Sequence, residues 1–462
     1  MAPPCRLRRR DRAPKLIALW LGLGVVAFVA AASSSSSSSS SCPFAAAPAL
    51  ALADASVKAQ SPRARSCPIE QAAGQPGPAQ QITRRDLVRN GAATLALSAG
   101  IGAAKQSSGT ALSPESLTTE RVGTKIIETS VLGSGSDALE IKTIINGLWQ
   151  VSGAHGRIDG KSAIEEMFQY DNAGLTTWDA ADIYGPAELI TREFRRQYKQ
   201  MNGGKDPNIQ VLTKYVPRPG DMPFELIEAA VDSRLSRLGV DKIDLLQFHW
   251  WDYSNKQYIE AMKHMKTLKE RGKIRNLALT NFDTKHLQEL VEEHGIPIVS
   301  NQVQFSMLDR RPLNKMVPFA EKHDIKLLAY GVLCGGLLTD KYLGVRDPTE
   351  TLDTASKQKY WYGTINEWGD WQLFQKLLRT LKEVGDSHRV SIANVAQRYV
   401  LDQPQVGGVI IGARLSKGLH VNDNLATYDL KLTSEDYAKI DDVLNQGRML
   451  RGDCGDEYRR YA

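Results

Sequence analysis

Eight short apolar runs alternate with helical patterns between residues 143 and 413, and this alternation constrains the fold more than any other feature of the chain. The runs are rich in β-branched and other apolar residues, as strands buried in a parallel sheet are. Between them, apolar residues recur at helical spacing, as at Leu226, Val231 and Leu238, and Gly239 ends that pattern. Eight strands separated by helices predict an α/β fold, the (β/α)8 or TIM barrel. The predicted strands cover residues 143–151, 176–182, 209–215, 243–250, 274–282, 298–306, 325–333 and 406–413.

A doubly wound open sheet is the competing α/β fold. It requires a glycine-rich turn with GxGxxG spacing after its first strand, where the backbone approaches a bound dinucleotide. The corresponding stretch here, "GLWQVSGAHGRIDG" at residues 147–160, contains glycines without that spacing. The barrel is therefore favoured.

The first 106 residues predict a cleavable targeting leader. Arginines precede the uncharged residues 16–32, which favours a signal peptide over a short membrane anchor because this length is at the lower limit for a spanning helix. Residues 48–80 resemble a plastid transit peptide, and "TRRDLVRNGAATLALSAGIGAA" at residues 83–104 resembles a twin-arginine export signal. Together they predict delivery to the plastid (chloroplast), with the thylakoid lumen as a further destination. The chain thus divides into a leader (1–106), a linker (107–127), the barrel (128–446) and a C-terminal tail (447–462).

The basic surplus of the chain belongs to the leader. Up to residue 106 there are 13 lysines and arginines against 4 acidic residues, so the rest carries 45 basic and 48 acidic residues. A net charge of −3 on the globular part gives no indication of nucleic-acid binding, and we expect no membrane association after cleavage.

Cysteine and histidine spacing gives no indication of a metal site. Only Cys334 and Cys454 follow the leader, and two distant cysteines form neither a disulfide framework nor a metal site. HxH and HExxH spacings are absent from the sequence, which disfavours a metal-dependent hydrolase. Six histidines fall on helix or loop patterns and are interpreted as structural: His155, His264, His286, His294, His323 and His388.

Polar residues concentrate where the predicted strands end, which is where barrel enzymes carry their active sites. A packed core alone does not require them. In chain order these residues are Asp179 and Tyr184, Lys214, His249, Thr280 and Asn281, Gln302, Tyr330, and Gly412 followed by Arg414.

These residues stand within motifs that resemble the aldo-keto reductase superfamily. The motifs are "WDAADIYG", "VLTKY", "DLLQFHWW", "LALTNF", "NQVQFSMLDRR", "LLAYGVLCGGLLTDKY" and "GVIIGARLSKGLHVNDN", in family order over about residues 128–446. The "CGG…K" version is closer to the branch that contains potassium-channel β-subunits. The resemblance implies a catalytic tetrad of Asp179, Tyr184, Lys214 and His249.

The tetrad implies reduction of a carbonyl by NADPH. Tyr184 would give the proton, and we expect the Lys214 ammonium to lower the pKa of that phenol from about 10. Asp179 would hold Lys214, and His249 would orient the carbonyl oxygen. By strand alternation, Asp179 points into the barrel and Trp178 outward, whereas Asp182 is expected to be a solvated or turn-capping residue.

The same resemblance implies a coenzyme site. Tyr330 would stack on the nicotinamide, and Asn281 and Gln302 would bind its carboxamide, with Thr280, Trp149 and Gly412 also at the coenzyme. Arg414 would bind the 2′-phosphate, and His420 stands where many members have a second arginine, which weakens discrimination against NAD. The remaining implied contacts are Gly331, Leu333, Cys334, Gly335 and Lys341 along the pyrophosphate and Asp423 and Asn424 at the adenine.

Three tryptophans, Trp149, Trp250 and Trp251, flank the predicted mouth and indicate either an apolar or aromatic carbonyl pocket or plugs of the barrel. The long segment from Cys334 to Gln405 predicts a lid over that mouth. The sequence therefore predicts a monomeric NADP(H)-dependent reductase of small carbonyl substrates. A non-catalytic or slow NADP(H)-binding regulator that senses redox state is the alternative.

Overall fold

The computed structural model describes residues 117–122, 125–153, 158–416 and 419–459. The predicted leader, the first part of the predicted linker and His155 lie outside the described residues. Within the described residues, no helix is both long and apolar enough to cross a membrane.

Eight parallel strands close into a barrel in the order β4-β5-β6-β7-β8-β9-β10-β11, which confirms the predicted (β/α)8 fold. A separate antiparallel sheet, β1-β2-β3, precedes it. The strands are β1 Leu117–Val122, β2 Lys125–Leu132, β3 Leu139–Lys142, β4 Ile144–Gly147, β5 Thr177–Asp179, β6 Gln210–Tyr215, β7 Ile243–His249, β8 Ile274–Thr280, β9 Ile298–Gln304, β10 Lys326–Tyr330 and β11 Val406–Gly412.

Helices follow the barrel strands and cover the outside of the barrel. They are α1 Gly160–Asn172, α2 Ala187–Met201, α3 Phe224–Leu238, α4 Gln257–Glu270, α5 Thr284–Gln288, α6 Met316–Lys322, α7 Ala355–Tyr360, α8 Asn366–Trp368, α9 Trp371–His388, α10 Ile392–Leu401, α11 Val421–Asp429, α12 Ser434–Leu444 and α13 Asp456–Arg459, with π-helical turns at Glu289–Glu293 and Trp361–Ile365. At the end of α3, Gly239 adopts a left-handed backbone conformation and its N–H donates to Leu235, as the sequence predicts for a helix stop.

The N-terminal hairpin closes the amino end of the barrel. Leu132, Leu139 and Ile141 from β2 and β3 form one buried cluster with barrel-lining residues such as Leu212 and Leu245. Strand β1 lies within the segment that the sequence assigns to a linker. This end of the barrel is filled by apolar side chains, and the polar residues at the carboxyl ends of the strands lie at the opposite mouth.

A second apolar layer lies between the strands and the helices. Trp178 is fully buried there, and its ring centroid lies 5.3 Å from that of Tyr170 on α1. Strand alternation then turns Asp179 into the barrel. The sequence-based assignment of these two neighbours to opposite faces is confirmed.

The segment between β10 and β11 is largely helical. Its aromatic residues Tyr360, Trp361, Trp368 and Trp371 are buried. The Trp361 and Trp371 rings meet edge to face with centroids 5.3 Å apart. This predicted lid therefore has a packed interior of its own.

Candidate active site

Four buried polar side chains form the floor of the barrel mouth: Asp179 on β5, Lys214 on β6, Gln247 on β7 and Gln302 on β9. The Lys214 Nζ donates to both Asp179 oxygens, at 2.6 and 2.7 Å, and to the Ala180 carbonyl at 3.1 Å. The Asp179 Oδ1 also accepts from Gln302 Nε2 at 2.7 Å and from Gln247 Nε2 at 3.2 Å. The predicted Asp179–Lys214 ion pair is thus part of a larger network, which we call the floor.

Tyr184 lies directly above this floor, in the turn between β5 and α2. The Lys214 Nζ is 4.9 Å from the centroid of its ring, and the Trp149 ring meets it edge to face at 5.1 Å. Burial raises the pKa of Tyr184 well above its usual value, and the Asp179 carboxylate adds to this effect. Burial also lowers the pKa of Lys214, although Asp179 opposes that change.

The expected lowering of the pKa of Tyr184 by Lys214 is therefore wrong. The positive charge of Lys214 is balanced by Asp179, to whose two oxygens its Nζ donates at 2.6 and 2.7 Å. Under these conditions desolvation decides the direction of the shift. The arrangement keeps the Tyr184 proton in place at neutral pH.

His249 ends β7 beside Asn281, which follows β8. The Asn281 Nδ2 and His249 Nε2 lie 3.4 Å apart, and the Tyr330 hydroxyl donates to Asn281 Oδ1 at 2.8 Å. Asn281 has a positive φ of 58°, a conformation that asparagine tolerates better than most residues. The structure therefore brings His249, Asn281 and Tyr330 together at the mouth, as the sequence predicts.

The residues assigned to the pyrophosphate lie after β10, and two glycines there are in close contact with the lid. A Cβ on Gly331 would meet the Tyr360 hydroxyl at 2.6 Å, and one on Gly335 would meet the Ser356 backbone at 2.9 Å. Cys334 is fully buried, and burial raises the pKa of its thiol to about 12. Its side chain is thus part of the core and leaves its backbone for a ligand.

The other two residues of this group are at least partly exposed. Leu333 is half-buried against the main core. Lys341 is exposed, and its Nζ lies 5.9 Å from the centroid of the Tyr342 ring.

The residues assigned to the adenosine end follow β11. Arg414 is exposed, and Asn424 is buried, with its backbone N–H donating to His420. The Asp423 carboxylate accepts from Ser391 Oγ at 3.0 Å. A cavity of about 420 Å³ opens between α1 and the start of α11, lined by Gln169, Asn172, Ala173, Leu419, His420, Val421, Asn422 and Asp423. A Cβ on Gly412 would meet the end of the Gln150 side chain at 2.2 Å, so Gln150 packs directly against this glycine.

The three tryptophans separate into two groups. The ring centroids of Trp251 and His249 lie 5.0 Å apart, and the Trp149 ring packs against that of Tyr184. Both tryptophans are therefore at the mouth. Trp250 is wrongly assigned to it: its ring is buried against Phe248, and its Nε1 donates to the Asp252 carbonyl at 2.7 Å. Alternation along β7 explains this, because His249 points inward and both of its neighbours point outward.

Asp182 is also not the solvated residue that the turn pattern suggests. It forms an ion pair with Arg234, a buried residue of α3, and accepts from the Val216 N–H at 3.2 Å. It also accepts from the Ile183 N–H at 2.9 Å, so the turn-capping part of the expectation holds. This carboxylate fastens the turn that carries Tyr184 to α3.

Sequence reasoning missed a group of side chains that covers the mouth, namely Lys359 of the lid and Glu457 and Tyr458 of the C-terminal segment. The Tyr330 hydroxyl lies 3.0 Å from Glu457 Oε1 and 3.3 Å from Tyr458 Oη. The Lys359 Nζ donates to Tyr458 Oη at 2.7 Å and lies 5.0 Å from the centroid of the Tyr330 ring. We call these three residues the cover.

The cover is anchored by ion pairs to the turn after β9. Buried Arg311 donates to both oxygens of Asp309, at 2.7 and 2.6 Å, and to Glu457 at 2.9 Å. Asp453 accepts from the Thr284 N–H at 3.1 Å. The Tyr458 ring centroid thereby lies 5.7 Å from that of His249. The motif "LDRR" and the acidic residues of the tail were the only sequence signals, and neither indicates its partner.

Comparison with known proteins identifies the protein family. The model of the Aldo/keto reductase family matches residues 143–445, more than half of the chain. The chain belongs to this family, whose members are oxidoreductases that use nicotinamide coenzymes.

Individual relatives are distant. The chain is 27% identical over 331 residues to Aldo-keto reductase YhdN of Bacillus subtilis, covering 68% of this chain and 93% of that protein. It is 24% identical over 279 residues to the chloroplastic pyridoxal reductase of Arabidopsis thaliana, covering 58% and 72%. Among solved structures, the glycerol dehydrogenase AKR11B4 from Gluconobacter oxydans matches with a TM-score of 0.58 at 24% identity, covering 68% of this chain and 95% of that one. That structural match supports the fold.

Proposed function

We propose that this protein is an NADPH-dependent carbonyl reductase in which Tyr184 is the general acid. The observation that carries the proposal is the position of Lys214, bound to both oxygens of Asp179 and 4.9 Å from the Tyr184 ring, with His249 on the next strand. An Asp–Lys pair beneath a tyrosine at a barrel mouth serves proton transfer better than it serves stability, since buried ion pairs contribute little to folding.

The residues present fit a nicotinamide coenzyme. The Thr280 Oγ1 is buried without a hydrogen-bond partner among the described residues, directly before Asn281, so the wall of the mouth has unused hydrogen-bonding capacity. Tyr330, Asn281 and Gln302 would hold the nicotinamide end, and the exposed Arg414 would hold a 2′-phosphate. The coenzyme supplies a hydride to the carbonyl carbon when bound.

The protein side chains supply the proton and the orientation. His249 positions the carbonyl oxygen, and Tyr184 transfers its hydroxyl proton to that oxygen. Because the pKa of Tyr184 is raised, the donor is fully protonated at neutral pH. After the transfer the Lys214 ammonium faces the tyrosinate that remains, and Asp179 holds that ammonium 4.9 Å from the centre of the Tyr184 ring. Trp149 and Trp251 make the entrance apolar, which favours apolar or aromatic aldehydes and ketones.

Steady-state oxidation of NADPH with a panel of aldehydes tests the activity, and Tyr184→Phe tests the role of the acid. We expect the variant to lose about 10²–10⁴-fold in kcat, the usual contribution of a general acid, while NADPH affinity stays nearly unchanged. Wild-type kcat in the variant would remove Tyr184 from the mechanism.

Arg414→Ala tests the preference for the phosphorylated coenzyme. We expect weaker NADPH binding, by about tenfold or more, and little change for NADH, since only NADPH carries the additional phosphate. Equal weakening of both coenzymes would show that Arg414 supports the fold instead.

A slow, regulatory NADP(H)-binding protein, similar to the potassium-channel β-subunit branch, is the second candidate. The cover favours it, because Lys359, Glu457 and Tyr458 contact the Tyr330 side chain on which a nicotinamide would stack. Stopped-flow mixing of NADPH-loaded protein with aldehyde distinguishes the two functions. A single turnover followed by coenzyme exchange over minutes supports the regulator, and sustained turnover supports the reductase.

We also propose that the protein acts in the plastid. The leader pattern and the similarity to a chloroplastic relative support this location. A fluorescent protein fused to residues 1–106 should enter the plastid of an algal host, and lysines at Arg84 and Arg85 should hold it in the stroma, because twin-arginine export requires the arginine pair. Cytosolic fluorescence from the intact leader would contradict the targeting proposal.

A further inference from the structure

We propose that Gln247 is a positioning residue that fixes both the Asp179 carboxylate and the Gln302 amide. This role rests on the proposed function. Gln247 lies on β7 two residues before His249, so both side chains point into the barrel. It pairs in register with Lys214 on β6, and its side chain is fully buried. A neutral amide at the centre of the barrel has no apolar packing role that leucine would not fill better.

The first role concerns Asp179. One Lys214 ammonium cannot satisfy all the acceptor sites of a buried carboxylate. The Asp179 Oδ1 accepts from Lys214 at 2.6 Å, Gln302 at 2.7 Å and Gln247 at 3.2 Å. These donors approach from three different strands, so the carboxylate cannot rotate without breaking two or more of the bonds. The ammonium that serves Tyr184 is therefore held in one place.

The second role concerns the amide orientation of Gln302. Its Nε2 donates to Asp179 Oδ1 at 2.7 Å and to Gln247 Oε1 at 2.9 Å. A flipped amide would place the Gln302 oxygen against two acceptors, which is unfavourable. Gln247 thus helps to direct the Gln302 Oε1 away from the floor, so that Gln302 offers an acceptor at the mouth.

A carboxamide would recognise that acceptor. The Asn281 N–H donates to the Gln302 carbonyl, so the two residues are neighbours across β8 and β9. The Asn281 Oδ1 accepts from Tyr330, and its Nδ2 lies 3.4 Å from His249 Nε2, so the amide nitrogen faces the His249 side of the mouth. A nicotinamide carboxamide carries one donor and one acceptor group and matches this pair. Gln247, which need not touch the coenzyme, thereby sets the polarity of the contact.

Replacement of Gln247 by methionine tests both roles, because methionine has nearly the same length and no hydrogen-bonding amide. The probes are NADPH and its 3-acetylpyridine analogue, in which a methyl group replaces the carboxamide NH2. Binding is followed by quenching of protein fluorescence, and kcat is measured separately. We expect the wild type to bind NADPH several-fold more tightly than the analogue, about the contribution of one hydrogen bond.

In Gln247→Met, we expect that preference to shrink to about twofold or less, and kcat to fall about tenfold. Gln397→Met is the matched control, since Gln397 is equally buried on α10 and bonds to Thr427 away from the site. It should lose stability and keep both the preference and kcat. If Gln247→Met does not fold, Gln302→Met removes the oriented acceptor from the other side and should also abolish the preference.

An unchanged preference in Gln247→Met, or a wild type without preference, would overturn the proposal. Failure of the proposed function is recognised independently, as absent turnover or absent NADPH binding in the wild type.

Discussion

The floor and the cover of the mouth both consist of polar side chains in contact, but they are built in different ways. The floor residues Asp179, Lys214, Gln247 and Gln302 all lie on barrel strands, and each strand pairs with its neighbours in fixed register. The cover joins Lys359, Glu457 and Tyr458, which lie on short helices outside the barrel. Strand pairing therefore fixes the floor, whereas side-chain contacts alone hold the cover.

The difference indicates separate roles in catalysis. Proton transfer requires groups held to within about half an ångström, which strand pairing provides. Exchange of a coenzyme requires groups that can separate, and hydrogen bonds between long side chains at a surface meet that need. Perturbing the floor should therefore change the chemical step, and perturbing the cover should change the rates of binding and release.

The largest expected effect is a dependence on pH and concerns Tyr184, directly above the floor. Alcohol oxidation needs the ionised form of Tyr184, and the pKa of this residue is raised well above its usual value. We expect the initial rate of oxidation to rise about tenfold per pH unit between pH 7 and 9, as the ionised fraction does. Carbonyl reduction should vary little over the same range, because its donor stays protonated. A plateau of the oxidation rate below pH 8 would show that the bound coenzyme lowers this pKa.

A smaller effect is expected for the cover. Tyr458→Phe removes the hydroxyl that accepts from Lys359 at 2.7 Å and lies 3.3 Å from the Tyr330 hydroxyl. We expect the association rate constant of NADPH to increase about two- to tenfold. The rate constant of the chemical step, measured in a single turnover, should be unchanged. Stopped-flow fluorescence gives both values, and Tyr362→Phe on the exposed side of the lid is the control. A loss in the chemical step would instead assign Tyr458 to the substrate.

The smallest effect on activity is expected for Asp182. Its replacement should lower the stability of the protein and leave catalysis nearly unchanged. Asp182→Asn leaves the buried Arg234 without its carboxylate partner, although Arg234 still donates to the Lys214 carbonyl at 3.1 Å. We expect the free energy of unfolding to fall by about 1–3 kcal/mol, with kcat/KM within about twofold of wild type. Denaturant titration and steady-state kinetics measure the two quantities. A loss of kcat comparable with that of Asp179→Asn would place Asp182 in the floor.

Trp250 and the tail show two different reasons why sequence reasoning fell short. The outward position of Trp250 was available from strand alternation, since it neighbours the inward His249. Glu457 and Tyr458 follow no periodic pattern, and their partners Tyr330 and Lys359 lie about a hundred or more residues away in the chain. Strand alternation thus predicts the position of Trp250, whereas no local pattern predicts the partners of the tail.

The pattern of apolar runs and polar strand ends is enough to predict the barrel and the residues that gather at its mouth. Period-two alternation selects the face of each strand, and the carboxyl ends of parallel strands must meet at one end of a closed barrel. Asp179, Lys214, His249 and Gln302 therefore converge whatever their partners are. Those partners become visible in the folded protein: Gln302 pairs with Asp179, Asp182 with Arg234, and the tail with Tyr330. A hydrogen bond depends on distances of a few tenths of an ångström between atoms far apart in the chain, and local spacing carries no information at that scale.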